Sequence, residues 1–219
     1  MATIIIIPAY NEAAKIGEVI SSVKSAGDWD IVVIDDGSID ATVESAKSAG
    51  AIVLRHGINR GQGAALKTGV EFASRSSYDT AVFFDADGQM VPEEIKMLLD
   101  KLAQGYDAVL GSRNLGQAPN MPLSRRLLKW LALIFTRMTT GLQLTDTHMG
   151  FQAWTVAALK KINLDQDRMA HASQILTEIA RNKLKYVEMP VTIRYSDYSL
   201  RKGQTNWGMF KILWDLMIK

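Results

Sequence analysis

The chain has 219 residues, with 25 basic and 23 acidic side chains, and its net charge of +2 excludes a strong positive field for nucleic acid. It contains no cysteine, which excludes a disulfide scaffold, a thiol nucleophile and a Cys-ligated metal. A domain of this size buries about 70% of its unfolded surface, so one compact domain can be stable without cross-links.

The first half of the chain alternates short apolar runs with helical patterns, which predicts β-α-β units and a parallel sheet. We therefore expect an α/β fold with a mostly parallel central sheet flanked by helices. Asn11 is the predicted N-cap of the first helix. The predicted strands of this half are 3–8, 30–35, 51–55, 80–84 and 107–110, and the predicted helices between and after them end near 26, 50, 74 and 105.

After residue 111 the pattern changes to loops, several helices and one more strand. Segment 123–140 is basic and amphipathic, and segment 207–219 is another amphipathic segment, so each is either a core-packing helix or a helix on a membrane surface. No run reaches the 18 or so apolar residues of a membrane-spanning helix. The other predicted elements are a loop at 115–122, two helices within 155–183, a strand at 185–195 and a polar loop at 196–206.

Two carboxylates and an amide follow the fourth predicted strand. Asp85, Asp87 and Gln89 would lie at the carboxyl edge of the sheet, where open α/β sheets bind their ligands. Oxygen ligands of this kind suit Mg²⁺ or Mn²⁺ shared with substrate phosphates, and without a cation the two carboxylates repel each other. The segment predicts a metal site, and the alternative is a capping turn before the helix that Pro92 begins.

Polar segments also follow the first three predicted strands. Tyr10 can stack on a base, and Asp36 can accept hydrogen bonds from a base or a ribose, or else cap the next helix. The glycine-rich segment 57–63 lacks the third glycine of a dinucleotide loop and the Gly-Lys-Ser/Thr of a P-loop. It is either a phosphate-side loop that makes Lys67 available to a nucleotide or a packing loop.

Positive charges near the same edge indicate an anionic second substrate, because arginine binds phosphate oxygens in bidentate fashion. Arg113 ends the fifth predicted strand at this edge. Asp146 and His148 are a candidate acid/base pair or loop anchor, and a structural role for His148 is the alternative. Further candidate phosphate ligands, each with a solvated surface role as its alternative, are Arg125, Arg126, Arg201 and Lys202.

Together these motifs resemble a family 2 glycosyltransferase of the GT-A fold, in the branch similar to dolichyl-phosphate or polyprenyl-phosphate mannose synthase. The resemblance extends from residue 3 to about residue 206. The motifs, in chain order, are Pro-Ala-Tyr-Asn-Glu at 8–12, Val-Ile-Asp-Asp-Gly-Ser at 33–38, Asp-Ala-Asp-Gly-Gln at 85–89, Gly-Ser-Arg at 111–113, Thr-Asp-Thr-His-Met-Gly-Phe at 145–151 and a basic loop at 199–203.

The resemblance implies inverting transfer of a hexose from a nucleotide-sugar, of the GDP-mannose or UDP-glucose type, to polyprenyl or dolichyl phosphate. It implies Mg²⁺ or Mn²⁺ as cofactor, with Asp85, Asp87 and Gln89 as candidate ligands. Asp87, Arg113 and Asp146 are the catalytic candidates, and Asp87 or Asp146 is needed as a base only if the acceptor is a hydroxyl. The implied donor- and phosphate-binding residues are Pro8, Tyr10, Glu12, Asp36, Lys67, Asp85, Ala86, Arg113, Arg125, Arg126, Arg201 and Lys202.

Two features depart from the pattern of this branch. The Arg-x-x-Gly-x-Ser-Lys loop of many members is Leu-Arg-Lys-Gly-Gln-Thr-Asn at 200–206, which shifts its charges. Many relatives continue into transmembrane helices, whereas here a catalytic domain of 1–206 is followed by one amphipathic segment at 207–219. We expect a peripheral protein at the cytoplasmic membrane face, with a small membrane partner protein as a further candidate, or a shortened chain.

Three other functions fit parts of the pattern. A family 2 transferase acting on a saccharide hydroxyl would keep the donor site and need Asp146 or a neighbour as base. A sugar-nucleotide nucleotidyltransferase would need a basic glycine-rich loop after the first strand, which 8–12 is not. A non-catalytic binding subunit would not need intact Asp85, Asp87 and Gln89. Asp36 can accept hydrogen bonds from guanine and uracil alike, so the base of the donor stays open.

Overall fold

The computed structural model describes residues 1–117, 133–134, 136–147, 149–166 and 171–194. The strands are β1 (Thr3–Ala9), β2 (Asp30–Asp35), β3 (Ile52–Arg55), β4 (Thr80–Phe83), β5 (Ala108–Gln117), β6 (Gln152–Thr155) and β7 (Tyr186–Thr192). The helices with defined bounds are α1 (Ile16–Ala26), α2 (Thr42–Ser48), α3 (Gln62–Arg75), α4 (Glu94–Leu102), α5 (Val156–Leu159) and α6 (His171–Arg181). Residues 136–140 are also helical.

The strands form one seven-stranded sheet in the order β3-β2-β1-β4-β6-β5-β7. β1 pairs in parallel with β2 and β4, and β5 pairs in parallel with β7. Only β6 runs the other way among the described strands, because it is antiparallel to both of its neighbours, β4 and β5. The mostly parallel sheet expected from the sequence is confirmed, and the carboxyl ends of the other strands meet the start of β6 at one edge.

The sheet is buried on both faces, which explains the continuous isoleucine run of β1. Ile4 and Ile6 point into the cluster that contains Val70 of α3, whereas Ile5 and Ile7 point into the cluster that contains Ile20 of α1. All four isoleucines are fully buried. The two faces thus hold the helices in place around the carboxyl edge.

Two predictions for the middle of the chain are wrong. β5 continues to Gln117, inside the predicted loop 115–122, because it pairs with β7 as far as Thr192. The strand β6 has no counterpart in the sequence-based prediction. The two helices predicted within 155–183 are confirmed as α5 and α6.

The assignment of Asn11 as a helix cap is also wrong, since α1 begins at Ile16 with Lys15 at its N-cap. Asn11 has a positive φ of 53° and ties the segment after β1 to the segment after β2. Its backbone N–H donates to Ser38 Oγ at 2.9 Å, and its Oδ1 accepts from the Ile39 N–H at 3.0 Å. The polar side chain therefore links two loops at the carboxyl edge.

No helix within the described residues has both the length and the apolar character needed to cross a membrane.

Candidate active site

The carboxyl edge of the sheet holds an open cavity of about 420 Å³ between the segments that follow β1, β2 and β4 and the start of α3. Residues predicted to bind the donor or metal that line this cavity are Pro8, Tyr10, Glu12, Asp36, Asp85, Ala86 and Asp87. The rest of its wall comes from Ala9, Asn59, Gly61, Gln62 and Ala65. Three separate strand ends therefore deliver the predicted residues to one place.

Asp85 lies just beyond β4 and is closely surrounded by protein. Its Oδ1 accepts a hydrogen bond from Gln62 Nε2 at 3.0 Å. Burial raises the pKa of Asp85 to about 7, with the charge of Asp87 acting in the same direction and Gln62 and Arg113 acting against it. A Cβ placed on Gly150 would lie 2.7 Å from Asp85 Oδ2, so only a glycine lets this segment approach the carboxylate so closely.

Asp87 is held by Gln89, which the sequence predicts as a second ligand of the same metal ion. The backbone N–H of Gln89 donates to Asp87 Oδ1 at 3.0 Å, and Gln89 Nε2 donates to Asp87 Oδ2. Burial raises the pKa of Asp87, and the charge of Glu12 contributes. Two carboxylates whose ionised forms are both disfavoured by burial and neighbouring charge are a donor set that fits a hard divalent cation.

No cluster of three or more His, Asp or Glu side chains suited to a metal ion occurs in the part of the chain that the structure describes. A site built on Asp85 and Asp87 would thus need further oxygen ligands. Gln89 and substrate phosphates are the available kinds, and Mg²⁺ sites commonly use one or two carboxylates in this way.

Asp36 organises the glycine-rich loop beside the cavity. Its side chain is buried and accepts from His56 Nδ1 at 2.8 Å and from the backbone N–H groups of Arg60 and Gly61, at 3.0 and 2.6 Å. The backbone of Ile58 packs directly against Gly37, where a Cβ would be 2.7 Å away. The loop after β3 is therefore folded around the end of β2, and the base-binding role of Asp36 stays a prediction.

Arg113 and Asp146 form a buried ion pair near this edge, with side chains 14% and 3% exposed. Arg113 Nε lies 2.7 Å from Asp146 Oδ2, and Arg113 Nη2 lies 2.8 Å from Oδ1. The same carboxylate also accepts from the backbone N–H groups of Arg113 and Thr147. Asp146 is thus an anchor for Arg113, and both of its oxygens are engaged.

Lys67 is placed elsewhere. Its Nζ is 2.8 Å from Asp165 Oδ1, a hydrogen bond that raises the pKa of Lys67, and it lines a separate cavity of about 310 Å³. The structure does not bring it to the wall that holds Asp85, and its nucleotide-binding role stays a prediction. Other predicted residues lie outside the described ranges, namely Arg125, Arg126, His148, Arg201 and Lys202.

Sequence reasoning did not single out Gln62 or Gly150 as site residues. Gln62 is the first residue of α3, and a polar side chain at the start of a helix that faces the sheet edge was the available signal. Gly150 reaches Asp85 because β6 begins beside the end of β4, with Gln152 opposite Phe83. No local pattern indicates that pairing.

The fold is shared with glucosyl-3-phosphoglycerate synthase from Mycobacterium tuberculosis. Its structure in complex with Mn²⁺ and uridine-diphosphate-glucose matches with a TM-score of 0.74 at 20% identity, covering 96% of this chain and 74% of that one. The architecture is therefore the GT-A fold expected from the sequence. Residues 4–167 match the model for glycosyl transferase family 2, so the chain belongs to this family and is a glycosyltransferase.

Two relatives are similar over nearly their full length. The chain is 31% identical to the UDP-N-acetylglucosamine–dolichyl-phosphate N-acetylglucosaminyltransferase of Methanococcus voltae, covering 98% of this chain and 94% of the relative. It is 32% identical to the polyprenol monophosphomannose synthase of Mycolicibacterium smegmatis, covering 96% and 85%.

Proposed function

We propose that this chain is an inverting, divalent-metal-dependent transferase that moves a sugar from a nucleotide-sugar to polyprenyl phosphate. The observation that carries the proposal is the single cavity lined by Glu12, Asp36, Asp85 and Asp87 at the carboxyl edge. Both relatives are named for products or acceptors of the dolichyl- or polyprenyl-phosphate type, which supports a lipid phosphate as the acceptor. The donor is a GDP- or UDP-sugar, with mannose, glucose and N-acetylglucosamine as the first candidates.

Asp85, Asp87 and Gln89 would hold Mg²⁺ or Mn²⁺. When bound, the cation would stabilise the negative charge that develops on the departing nucleoside diphosphate. Glu12 adds negative charge beside Asp87, which favours a cation further. Gln62, which also lines the cavity, orients Asp85 by its 3.0 Å hydrogen bond.

The ion pair of Asp146 supports a phosphate acceptor over a hydroxyl. A general base needs an open lone pair to take a proton, and each Asp146 oxygen already accepts two hydrogen bonds, three of the four from Arg113 and one from the Thr147 N–H. A phosphate monoester has its second pKa near 6, so the acceptor is already anionic at neutral pH. Its oxygen forms a bond to the anomeric carbon while the bond from that carbon to the diphosphate breaks, and the electron pair leaves with the nucleoside diphosphate.

We also propose that the protein works at the surface of the cytoplasmic membrane, where such an acceptor would be found. The two amphipathic segments that motivate this, 123–140 and 207–219, lie mostly or wholly outside the described residues.

The test is transfer of labelled sugar from UDP-N-acetylglucosamine, UDP-glucose and GDP-mannose to undecaprenyl phosphate in detergent, with Mn²⁺ or with EDTA. We expect one donor to yield an organic-extractable glycolipid and one equivalent of nucleoside diphosphate, only with metal. Transfer to a saccharide hydroxyl but not to the lipid phosphate would favour the alternative glycan-assembly function. Binding of the donor without turnover on any acceptor would favour a non-catalytic subunit.

A further inference from the structure

We propose that Glu188 of β7 is a positioning residue that holds Arg113 in place through Asp146. The inference rests on the proposed function in that Arg113 lies close enough to Asp85 of the proposed donor site for its charge to act on that carboxylate. No sequence motif singles out Glu188.

Glu188 lies opposite Leu110 in the parallel pairing of β7 with β5. Leu110 precedes Arg113 by three residues on β5. Its two carboxylate oxygens accept backbone hydrogen bonds from consecutive residues, at 2.7 Å from the Thr145 N–H and 3.1 Å from the Asp146 N–H. The Thr145 side chain also hydrogen-bonds to Glu188. The Glu188 side chain thus fixes the backbone of Thr145 and Asp146.

Burial raises the pKa of Glu188, and the two backbone N–H groups act against this rise. Glu188 and Asp146 are both acidic and close enough to repel, yet the bonds to the backbone keep them side by side. A carboxylate placed next to another carboxylate needs a structural reason. Here the reason is that Glu188 binds the turn while Asp146 binds Arg113.

The turn is also fastened to β5 itself. Ser112 Oγ lies 2.7 Å from Thr145 Oγ1, and Asn114 Nδ2 donates to the Thr145 carbonyl. Arg113 therefore lies between two side chains that bind Thr145, while its own side chain is held by Asp146. The charge of Arg113 lowers the pKa of Asp85, so the position of Arg113 affects a carboxylate of the cavity.

The strand offers a matched control. Tyr186 lies two residues before Glu188 on the same face of β7, and its hydroxyl accepts from the Gln143 N–H at 2.8 Å. Tyr186→Phe removes one anchor of the same loop without touching the turn at Asp146. Glu188→Gln keeps the shape of the side chain but turns one acceptor into an amide donor that opposes an N–H group.

The first measurement is independent of activity. The Nε–Hε group of Arg113, assigned through Arg113→Lys, is followed by ¹⁵N NMR as hydrogen exchange with solvent. We expect slow exchange in the wild type and in Tyr186→Phe and at least tenfold faster exchange in Glu188→Gln. Unchanged exchange in Glu188→Gln would overturn the inference whether or not the protein transfers sugar.

The second measurement is the steady-state transfer reaction of the proposed function, compared at temperatures where each variant is fully folded. We expect kcat to fall roughly tenfold in Glu188→Gln, as for loss of one hydrogen bond to a charged group, with the KM for the donor changed less than kcat. Tyr186→Phe should stay within about twofold of the wild type. Equal losses in both variants would reduce Glu188 to a general stabiliser and overturn the inference.

If Glu188→Gln does not fold, Glu188→Asp carries the same two measurements, because its shorter carboxylate keeps the charge and loses at least one of the two backbone contacts. Failure of the wild type to transfer sugar would contradict the proposed function alone. The exchange of Arg113 Hε would still decide the inference on Glu188.

Discussion

Arg113 and Asp146 are joined by two parallel hydrogen bonds, 2.7 Å from Nε to Oδ2 and 2.8 Å from Nη2 to Oδ1. This is the fork-to-fork geometry that makes an arginine–carboxylate pair directional as well as strong. Both side chains are largely shielded from water, so removing either charge leaves the other without compensation. The pair fixes where the guanidinium charge lies relative to Asp85, on which that charge acts.

Asp146→Asn should therefore act through stability and position, with no loss of a base. We expect the free energy of unfolding to fall by about 3–5 kcal/mol in urea denaturation, as for a broken buried pair. Transfer should become slower, but the acidic limb of its pH–rate profile should remain, because the acceptor phosphate with its pKa near 6 sets that limb. Asp165→Asn, at an exposed carboxylate, should change stability by no more than about 0.5 kcal/mol. Disappearance of the acidic limb in Asp146→Asn would show that Asp146 is the base.

Asp87→Asn should abolish metal-dependent transfer while leaving the fold intact. A bound cation contributes several kcal/mol to the stabilisation of the leaving group, which corresponds to roughly 100-fold or more in kcat. The rise in melting temperature on adding Mn²⁺ with UDP or GDP should disappear as well. Asp100→Asn removes an exposed carboxylate paired with Lys96 and is the control. Unchanged turnover in Asp87→Asn would remove Asp87 from the metal site.

The raised pKa of Asp85 predicts a pH dependence of the metal-free protein. The folded protein holds the Asp85 proton more tightly than the unfolded chain does, since folding raises the pKa of Asp85 from the usual 3.8 to about 7. This contribution to stability is fully present below pH 4 and is lost as the pH rises towards 7. Asp85→Asn removes the penalty, so in EDTA its melting temperature should exceed that of the wild type more at pH 8 than at pH 5. A difference of roughly 2–4 °C is expected for each kcal/mol. If the melting temperatures of the wild type and Asp85→Asn differed by the same amount at pH 5 and pH 8, the pKa of Asp85 would not be raised.

Gly150→Ala tests the contact between the segment before β6 and Asp85, a proposed metal ligand. The added methyl group would lie 2.7 Å from Asp85 Oδ2, so the carboxylate must move. We expect kcat to fall at least about tenfold, with a loss of stability of roughly 1–3 kcal/mol from overpacking. Gly57→Ala is the matched control, because a Cβ there meets no atom within 4 Å and the residue is in a loop at the same edge. Full activity of Gly150→Ala would mean that the position of Asp85 is not critical.

The sequence was sufficient to predict the elements whose signals are local. The β1 isoleucines and the β4 run before Asp85 follow short-range patterns, and the cavity follows because parallel strands end at a common edge. Burial of β1 on both faces matches its uninterrupted apolar run.

The elements that could not be predicted depend on contacts distant in sequence. β6 is only four residues long and becomes a strand because β4 and β5 lie on either side of it. Gln62 contacts Asp85 across 23 residues of sequence, and Glu188 contacts Asp146 across 42. The Asn11 side chain accepts from the Ile39 N–H where its type suggested a helix cap, since an asparagine side chain suits both roles.

The insertion of β6 between β4 and β5 also predicts an order of assembly. Strands β3, β2, β1 and β4 join through connections of ordinary length, so this half can form while the ribosome is still extending the chain. β5 pairs with β6 and β7 and with no described strand of that half, so we expect its pairing to await the residues beyond 150. Pairings of such long range are slow to form, and we expect the last step of folding to be the docking of β5, β6 and β7 as a unit. We expect catalytic competence to arise only at that step, because the same docking event brings Gly150 and Arg113 near Asp85 of the first half.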